Sequence, residues 1–111
     1  MKVKDFCEKL DMKVLTESVE IHKNISGVYI CDLLSWVMSH ASKEDAWITI
    51  HTHVNIVAVA VLTEVACIIV PEGIQVEEDT IKRANKEGIL ILSTNMSGYE
   101  ICWKTHELIG S

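Results

Sequence analysis

The sequence predicts an α/β domain built on a mostly parallel β-sheet, and the second half of the chain provides the main observations. Residues 46–50, 67–70 and 89–93 are short runs rich in apolar and β-branched side chains, which are typical of buried strands. Each run is followed by a segment that is long enough to form a helix, and parallel neighbouring strands need such crossovers. The order β-α-β-α-β-α therefore predicts right-handed crossovers with helices packed on the faces of the sheet.

The chain of 111 residues has room for a buried core, so we expect a single domain over residues 1–111. The formal net charge of −6 disfavours nucleic acid as a partner, because an acidic surface repels phosphate groups. The longest apolar run, residues 56–62, is shorter than the roughly 20 residues of a membrane-spanning helix. No signal peptide is visible, so we expect a cytoplasmic protein without a membrane partner. Its four cysteines should be reduced and act as small buried hydrophobic residues.

The first half of the chain predicts a small subdomain made of one helix and short strands. Apolar residues at positions i, i+3, i+4 and i+7 predict a helix over residues 3–10. Short strands are expected at residues 12–16, 19–24 and 28–31. Asp32 then precedes an apolar stripe that ends near residue 40, and we expect this aspartate to cap a helix there rather than to serve as a general base.

Residues 51–65 are ambiguous, since a short apolar run suits a buried strand and a buried helix equally well. A helix is favoured because the strands on either side need a crossover. Thr52 or Asn55 is expected to cap this helix.

Two further helices are predicted towards the end of the chain. Residues 77–87 begin with acidic side chains and continue with basic ones, which suits the helix dipole, and Gly88 follows as a left-handed residue. The last helix is expected over residues 96–108, with Asn95 or Ser97 as its cap.

The sequence contains none of the glycine-rich or serine motifs of the common catalytic folds. It has no G-x-x-x-x-G-K-[ST] phosphate loop, no G-x-G-x-x-G fingerprint and no G-x-S-x-G elbow. His51 and His53 follow a predicted strand, but two imidazoles are too few for a zinc site, so we expect neither metal nor cofactor. We expect both histidines to line a pocket or to cap a helix. A small enzyme that uses His22, His51 or His53 as an acid–base group beside Ser26 is a weaker alternative.

The three tryptophans, Trp36, Trp47 and Trp103, are expected to lie in the core or at an interface. Trp103 flanks the inner stripe of the last predicted helix, so a subunit contact is the expected environment of this side chain.

Five blocks of the sequence, in this order, resemble the DRTGG domain family. They cover residues 22–35, 46–53, 55–60, 66–73 and 88–94, which is nearly the whole chain. The family signature Asp-Arg-x-x-Thr-Gly-Gly, a short strand and Asp-Leu-Leu-Ser correspond to the first block.

This chain departs from the family pattern at several positions. His22 and Lys23 replace the Asp-Arg pair, and Ser26 replaces the threonine but keeps its hydroxyl. Gly27 matches the first glycine, whereas Val28 stands where the family has a second one. A β-branched valine does not readily adopt the positive φ that glycine allows, so a loop that approaches a ligand would be altered. Residues 71–73 read Pro-Glu-Gly where relatives often have Thr-Gly-Gly.

The resemblance implies a three-layer α/β fold like that of the amino-terminal domain of HPr kinase/phosphorylase. It further implies a non-catalytic regulatory module, often dimeric. We therefore expect a homodimer that senses an adenine nucleotide or another small phosphorylated ligand, with a scaffold that binds a protein partner as the alternative. The loops next to the strands are expected to converge on one ligand crevice. The expected ligand-binding residues are Ser26, Gly27, Asp32, His51, His53, Gly73, Ser93 and Thr94.

Overall fold

A computed structural model describes residues 1–110 and contains five helices and five strands within that range. In chain order the elements are α1 (Val3–Lys9), β1 (Lys13–Val14), β2 (Gly27–Ile30), α2 (Leu34–His40), β3 (Asp45–Ile48), α3 (Asn55–Thr63), β4 (Cys67–Val70), α4 (Glu78–Glu87), β5 (Ile91–Ser93) and α5 (Gly98–Ile109).

All five strands form one sheet in the order β1-β5-β4-β3-β2. Strands β2 to β5 are parallel neighbours, and β1 adds to β5 in the antiparallel direction. The mostly parallel sheet predicted from the sequence is therefore confirmed. Because the four parallel strands run in the same direction, they begin at one edge of the sheet, the amino edge, and end at the opposite one, the carboxyl edge.

Helices cover both faces of the sheet and give three layers. On one face α1 and α5 contribute Phe6 and Ile101, which pack against Ile48 and Ile69 of the sheet. On the other face α2, α3 and α4 enclose a second cluster. This second cluster contains Val37, Trp47, Ile56, Ile68 and Ala84, all of them buried. Two buried clusters back to back leave both faces of the central strands dry, which agrees with their unbroken apolar sequences.

Residues 55–63 form a helix, as the crossover argument predicted. β3 and β4 are adjacent and parallel, and the connection between them has to return along the sheet, which only a long crossover can do. The helices predicted at residues 77–87 and 96–108 are also present, with shifts of one or two residues at their ends. Gly88 follows α4 with φ +74°, as predicted for a left-handed C-terminal residue.

The first half of the chain does not form a separate subdomain. Its strands β1 and β2 occupy the two outer positions of the common sheet, so they complete the domain rather than standing beside it. Residues 19–24 are not a strand either, apart from a single bridge between Lys2 and Asn24. The alternating pattern there reflects a loop that partly covers the core, since Val19 and Ile21 pack against it.

The predicted environment of the tryptophans is confirmed for Trp47, which is fully buried and donates from its indole nitrogen to the Cys31 carbonyl at 2.9 Å. Trp36 and Trp103 expose 51% and 40% of their surface, so they lie outside the core, and the interface expected for them stays a prediction. No helix within residues 1–110 is long and apolar enough to cross a bilayer.

Candidate functional site

Asp32 joins the ends of β2 and β3 and does not cap α2. Its Oδ1 accepts hydrogen bonds from the Thr49 hydroxyl at 2.7 Å and from the Ile50 amide at 2.8 Å. The N-cap position of α2 is Leu33, where no side-chain hydrogen bond is made. The predicted cap is therefore wrong, because two donors that are distant in sequence compete for the carboxylate.

His51 and His53 lie in the loop after β3, and both side chains are exposed. β3 ends at Ile48, so the two histidines do not alternate along a strand. The Asn55 amide, at the start of α3, donates to Nδ1 of His53 at 3.4 Å, which gives His53 part of the capping role expected for this pair. Within residues 1–110, no group of three His, Cys, Asp or Glu side chains is placed to hold a metal ion.

Thr52 connects the starts of α3 and α4 and does not cap α3. Its hydroxyl donates to Glu77 Oε2 at 3.4 Å, and its carbonyl accepts a hydrogen bond of 2.6 Å from the Thr80 hydroxyl. The N-cap position of α3 is Val54, where no side-chain bond is made, so the caps predicted at Thr52 and Asn55 are both wrong.

The loops after β4 and β5 are hydrogen-bonded to each other. The amide of Gly73 donates to the Thr94 carbonyl, and the amide of Glu72 donates to the Met96 carbonyl, both at 2.9 Å. Gly73 has φ +65°, and a Cβ atom there would lie 2.8 Å from Asn95 Oδ1. Both the backbone angle and the close contact favour glycine at this position. The two loops are therefore joined directly by their backbones.

The cavity that we find at the carboxyl edge is small. Gly98, at the start of α5, lies against the end of β2, since a Cβ atom there would be 2.7 Å from Ile30 Cδ1. The cavity left beside them has a volume of about 180 Å³, and its charged lining residues are Asp32 and Glu72. Sites for small molecules usually measure about 300–1,000 Å³. Ser93 is the last residue of β5, paired with Val70, and does not line this cavity.

Ser26 and Gly27 lie at the amino edge, opposite the other predicted ligand residues. Gly27 begins β2 and pairs with Asp45, the first residue of β3. The two are tightly packed, since a Cβ atom on Gly27 would lie 2.7 Å from Asp45 Oδ1. The expectation that this loop converges with the other three is wrong, because Ser26 precedes β2 and Gly27 is its first residue, whereas the other loops follow their strands.

A larger opening, here called the amino-edge cleft, lies beside the segment that leads into β2. Its volume is about 370 Å³. The residues that line it are His22, Lys23, Asn24, Lys43, Glu44, Ala60, Val61, Glu64, Glu87, Gly88 and Ile89. Lys23 Nζ donates to the Val65 carbonyl at 3.2 Å, and Lys43 Nζ lies 3.8 Å from Glu64 Oε2. The cleft thus combines an apolar floor with charged walls of both signs.

Sequence reasoning did not identify this cleft as a site. It singled out His22 as a catalytic candidate and Ser26 as a ligand residue, but it did not group them with Lys43 or Glu64. Ser26 does not line the cleft. His22, Lys43 and Glu64 are brought together because they precede three neighbouring strands, β2, β3 and β4, and no local pattern marks such a meeting point. The available signal was Lys23, which keeps the positive charge of the arginine in the family signature.

Burial raises the pKa of three of the four thiols and so disfavours their thiolate forms. It raises the pKa of Cys67 from 9.0 to about 12, and it also raises the pKa values of Cys7 and Cys102. All four cysteines are free. Cys7 and Cys67 are buried as expected, whereas Cys31 and Cys102 are partly exposed.

These features define a small three-layer α/β domain. Its polar residues connect loops by hydrogen bonds at the carboxyl edge of the sheet and surround a cleft at the amino edge. A family comparison gives a more specific assignment. The model of the DRTGG domain matches residues 5–108, so the chain belongs to the DRTGG domain family. No curated protein matches the chain.

A solved structure shows the same fold. It is described as the CBS and DRTGG domains of the regulatory region of Clostridium perfringens pyrophosphatase, complexed with the activator diadenosine tetraphosphate. The TM-score is 0.65 at 16% sequence identity, over 90% of this chain. The match spans 44% of the other chain, so this protein corresponds to less than half of that regulatory region.

Proposed function

We propose that this protein is a non-catalytic regulatory module that forms a homodimer and senses an adenine nucleotide or another small phosphorylated ligand. The observation that supports the regulatory role is membership of the DRTGG family over residues 5–108. The solved structure with the same fold belongs to a regulatory region and was obtained with a dinucleotide activator. We extend that ligand class to this chain as a hypothesis.

The ligand site that we propose is the amino-edge cleft. Its volume of about 370 Å³ is roughly twice that of the carboxyl-edge cavity and falls within the usual range for small molecules. Lys23 and Lys43 supply positive charge for a phosphate group, next to the acidic Glu44, Glu64 and Glu87, whereas no basic residue lines the carboxyl-edge cavity. The apolar floor of Ala60, Val61 and Ile89 offers a surface for a base. The exposed bond between Lys43 and Glu64 is weak, and a phosphate group can displace it.

A thermal-shift experiment tests this proposal with adenosine mononucleotides, diadenosine tetraphosphate and inorganic phosphate as probes. A ligand at a hundred times its Kd adds about 2.7 kcal/mol of stability, which raises Tm by more than about 4 °C in a domain of this size. Lys23→Ala should abolish the shift, and Lys9→Ala on α1 is the matched control.

The variants also distinguish the two edges of the sheet. A shift that is lost in His51→Ala but kept in Lys23→Ala would move the site to the carboxyl edge, where His51, His53, Gly73 and Thr94 are the residues to examine. The absence of any shift in the wild-type chain would overturn the nucleotide-sensing proposal.

The homodimer is proposed to form through the unpaired side of β2, the outermost strand of the sheet. This strand is the last in the sheet, and its sequence Gly-Val-Tyr-Ile contains no charged residue or proline to discourage pairing. Ile30 at its end exposes 54% of its surface. Sedimentation velocity should therefore show a dimer that Ile30→Lys dissociates and that Met38→Lys, a similarly exposed change on α2, leaves intact. A wild-type monomer at high concentration would contradict this part of the proposal.

A protein-binding scaffold without a small ligand is the second candidate. It is favoured by the exposure of Trp36 and by that of Leu33, one turn earlier, because a single copy leaves these large apolar side chains in water. Binding of a protein partner by a chain that shows no thermal shift with any nucleotide would support the scaffold over the sensor.

A further inference from the structure

The connection between β1 and β2 crosses the whole amino edge of the sheet, because these two strands occupy its opposite ends. The chain leaves β1 beside the start of β5, where the Leu15 amide donates to the Ile91 carbonyl at 2.9 Å. It reaches β2 beside the start of β3, where the Ser26 amide donates to the Glu44 carbonyl at 3.0 Å. Residues 15–26 form no helix or strand on the way, apart from one bridge. Connections of about this length without secondary structure are uncommon and are often lids or binding loops.

Both ends of this connection are firmly anchored. Thr16 is fully buried, and its hydroxyl accepts a hydrogen bond of 3.1 Å from the Ile91 amide. At the other end the Lys23 carbonyl accepts the Val3 amide at 3.0 Å, and the side chain of Ile25 is buried in the core. Any movement is therefore confined to the residues between Thr16 and Lys23.

Residues 17–22, here called the strap, are held much more loosely than the two anchors. Their one hydrogen bond to another element joins the Ser18 amide to Asn85 Oδ1 of α4 at 3.1 Å, and it is exposed to water. The Val19 amide bonds only within the connection itself, and the side chains of Val19 and Ile21 are partly buried against the core. Few hydrogen bonds and incomplete burial are typical of segments that open without unfolding of the whole domain.

A cavity of about 140 Å³, here called the strap cavity, separates the strap from the sheet. Its lining from the sheet side and α1 consists of Val3, Ala66, Gly88 and Leu90. Side chains that face such a void lack partner atoms on one side, so they lose part of their packing energy. His22 lines both the strap cavity and the amino-edge cleft, so the end of the strap lies between the two spaces.

We propose that the strap opens away from the sheet as a unit, which joins the strap cavity to the amino-edge cleft, and that a phosphate group in the cleft holds it closed through His22. The opening is argued from the contacts of the strap alone. The closure rests on the ligand site proposed above, since His22 is the strap residue that lines the cleft and an imidazole N–H can donate to a phosphate oxygen. Occupancy of the cleft would thus set the position of a segment at the protein surface.

Thiol labelling of the full chain tests the opening. Leu90→Cys places a thiol in the strap cavity, and Leu92→Cys places one two residues further along the same buried face, outside that cavity. The reagent is fluorescein maleimide, which is too large to enter a closed cavity of about 140 Å³. The thiol of Leu90→Cys should react at least tenfold faster than that of Leu92→Cys in the absence of denaturant.

The natural cysteines provide an internal reference for this experiment. Cys67 is buried in β4, so its labelling reports unfolding of the whole domain. Peptide mass spectrometry distinguishes each labelled position. Low concentrations of urea should accelerate labelling of Cys67 while leaving that of Leu90→Cys nearly constant, because opening of the strap exposes little surface.

A pair of variants on α4 tests the bond that holds the strap. In the Leu90→Cys chain, Asn85→Ala removes the acceptor of the Ser18 amide and should accelerate labelling at least threefold. Lys86→Ala, at the exposed neighbouring position, should leave the labelling rate unchanged.

A second pair tests the closure. Diadenosine tetraphosphate and inorganic phosphate, at concentrations that raise Tm, should slow labelling of Leu90→Cys at least fivefold. His22→Ala should remove this protection, whereas His106→Ala, at an exposed position on α5, should keep it.

The outcomes separate the strap from the nucleotide site. Equal labelling of Leu90→Cys and Leu92→Cys, or a urea dependence of Leu90→Cys equal to that of Cys67, would overturn the opening. A probe that raises Tm without slowing the labelling would overturn the closure and leave the nucleotide proposal intact. If no probe raises Tm, the closure fails together with the nucleotide proposal, and the labelling of the ligand-free chain still decides whether the strap opens.

Discussion

The carboxylate of Asp32 accepts a hydrogen bond of 2.7 Å from the hydroxyl of Thr49, and this bond ties the end of β2 to the end of β3. Oδ1 of the same carboxylate also accepts the Ile50 amide. Because the Thr49 hydroxyl is bonded in turn by the His51 amide, one aspartate organises three consecutive residues after β3. Asp32, which the sequence predicts to be a helix cap, therefore connects two neighbouring strands by hydrogen bonds.

Replacing Asp32 with alanine should lower the free energy of unfolding by about 1–3 kcal/mol, because the buried Thr49 hydroxyl and the Ile50 amide lose their acceptor. Asp32→Asn should cost less, since the amide oxygen can still accept both hydrogen bonds, although without the negative charge of the carboxylate. Urea denaturation measures both. Glu107→Ala, which removes an exposed carboxylate from α5, is the control, and equal stability of Asp32→Ala and Glu107→Ala would contradict the assigned role.

Gly27→Ala should destabilise the domain by about 1–3 kcal/mol, because the added Cβ would lie 2.7 Å from Asp45 Oδ1. That carboxylate is buried and its Oδ2 accepts the Ser42 amide at 2.8 Å, so it is not free to move away. The matched change is Gly98→Ala, where the Cβ meets the mobile end of the half-exposed Ile30 side chain at the same distance.

Gly98→Ala should therefore be neutral or slightly stabilising, since alanine is also the better helix former at this position in α5. Thermal unfolding of the two variants side by side gives the comparison. If Gly98→Ala proved as costly as Gly27→Ala, the rigidity assigned to Asp45 would be wrong.

The fold was predictable because its signals are local. Unbroken apolar runs at residues 67–70 and 89–93 identify doubly buried strands, and the spacing between strands requires helical crossovers. The resemblance to the DRTGG family predicted, in addition, that the helices and the sheet form three layers. The places of β1 and β2 were not predictable from composition, because a strand of two or four residues carries too little pattern to show which neighbour it joins.

The candidate site was less predictable, because its geometry depends on strand direction. Ser26 precedes β2 and His51 follows β3, so the two residues lie at opposite edges of the same sheet. Proximity to a strand in sequence does not show at which of its ends a residue lies until the strand's limits are known. The predicted helix caps are wrong for a related reason. The side chains of Asp32 and Thr52 both bind partners that are distant in sequence, and these partners compete with the local backbone.

Ser97→Ala should lower stability by about 1 kcal/mol, because the Ser97 hydroxyl accepts the Glu100 amide at the start of α5. This is the cap that the sequence offered as one of two alternatives for the last helix. Ser97→Asp should restore most of the loss, as aspartate also caps helices well. Chemical denaturation monitored by circular dichroism provides the measurement, and failure of the aspartate to rescue the loss would point away from capping.

The thiol of Cys67 should make stability fall at alkaline pH. Burial raises its pKa in the folded protein to about 12, compared with an ordinary value of 9.0 in the unfolded chain. Below pH 9 both states keep the proton, and the thiol contributes no pH dependence. Between about pH 9 and 12 the unfolded chain loses the proton while the folded protein retains it, so the free energy of unfolding decreases as pH rises.

Cys67→Ala should therefore lose less stability than the wild type between pH 8.5 and 10.5, as measured by urea denaturation at each pH. Cys31→Ala, which changes a partly exposed cysteine, should follow the wild-type slope. Parallel curves for the wild type and Cys67→Ala would show that this thiol does not hold its proton as its burial predicts.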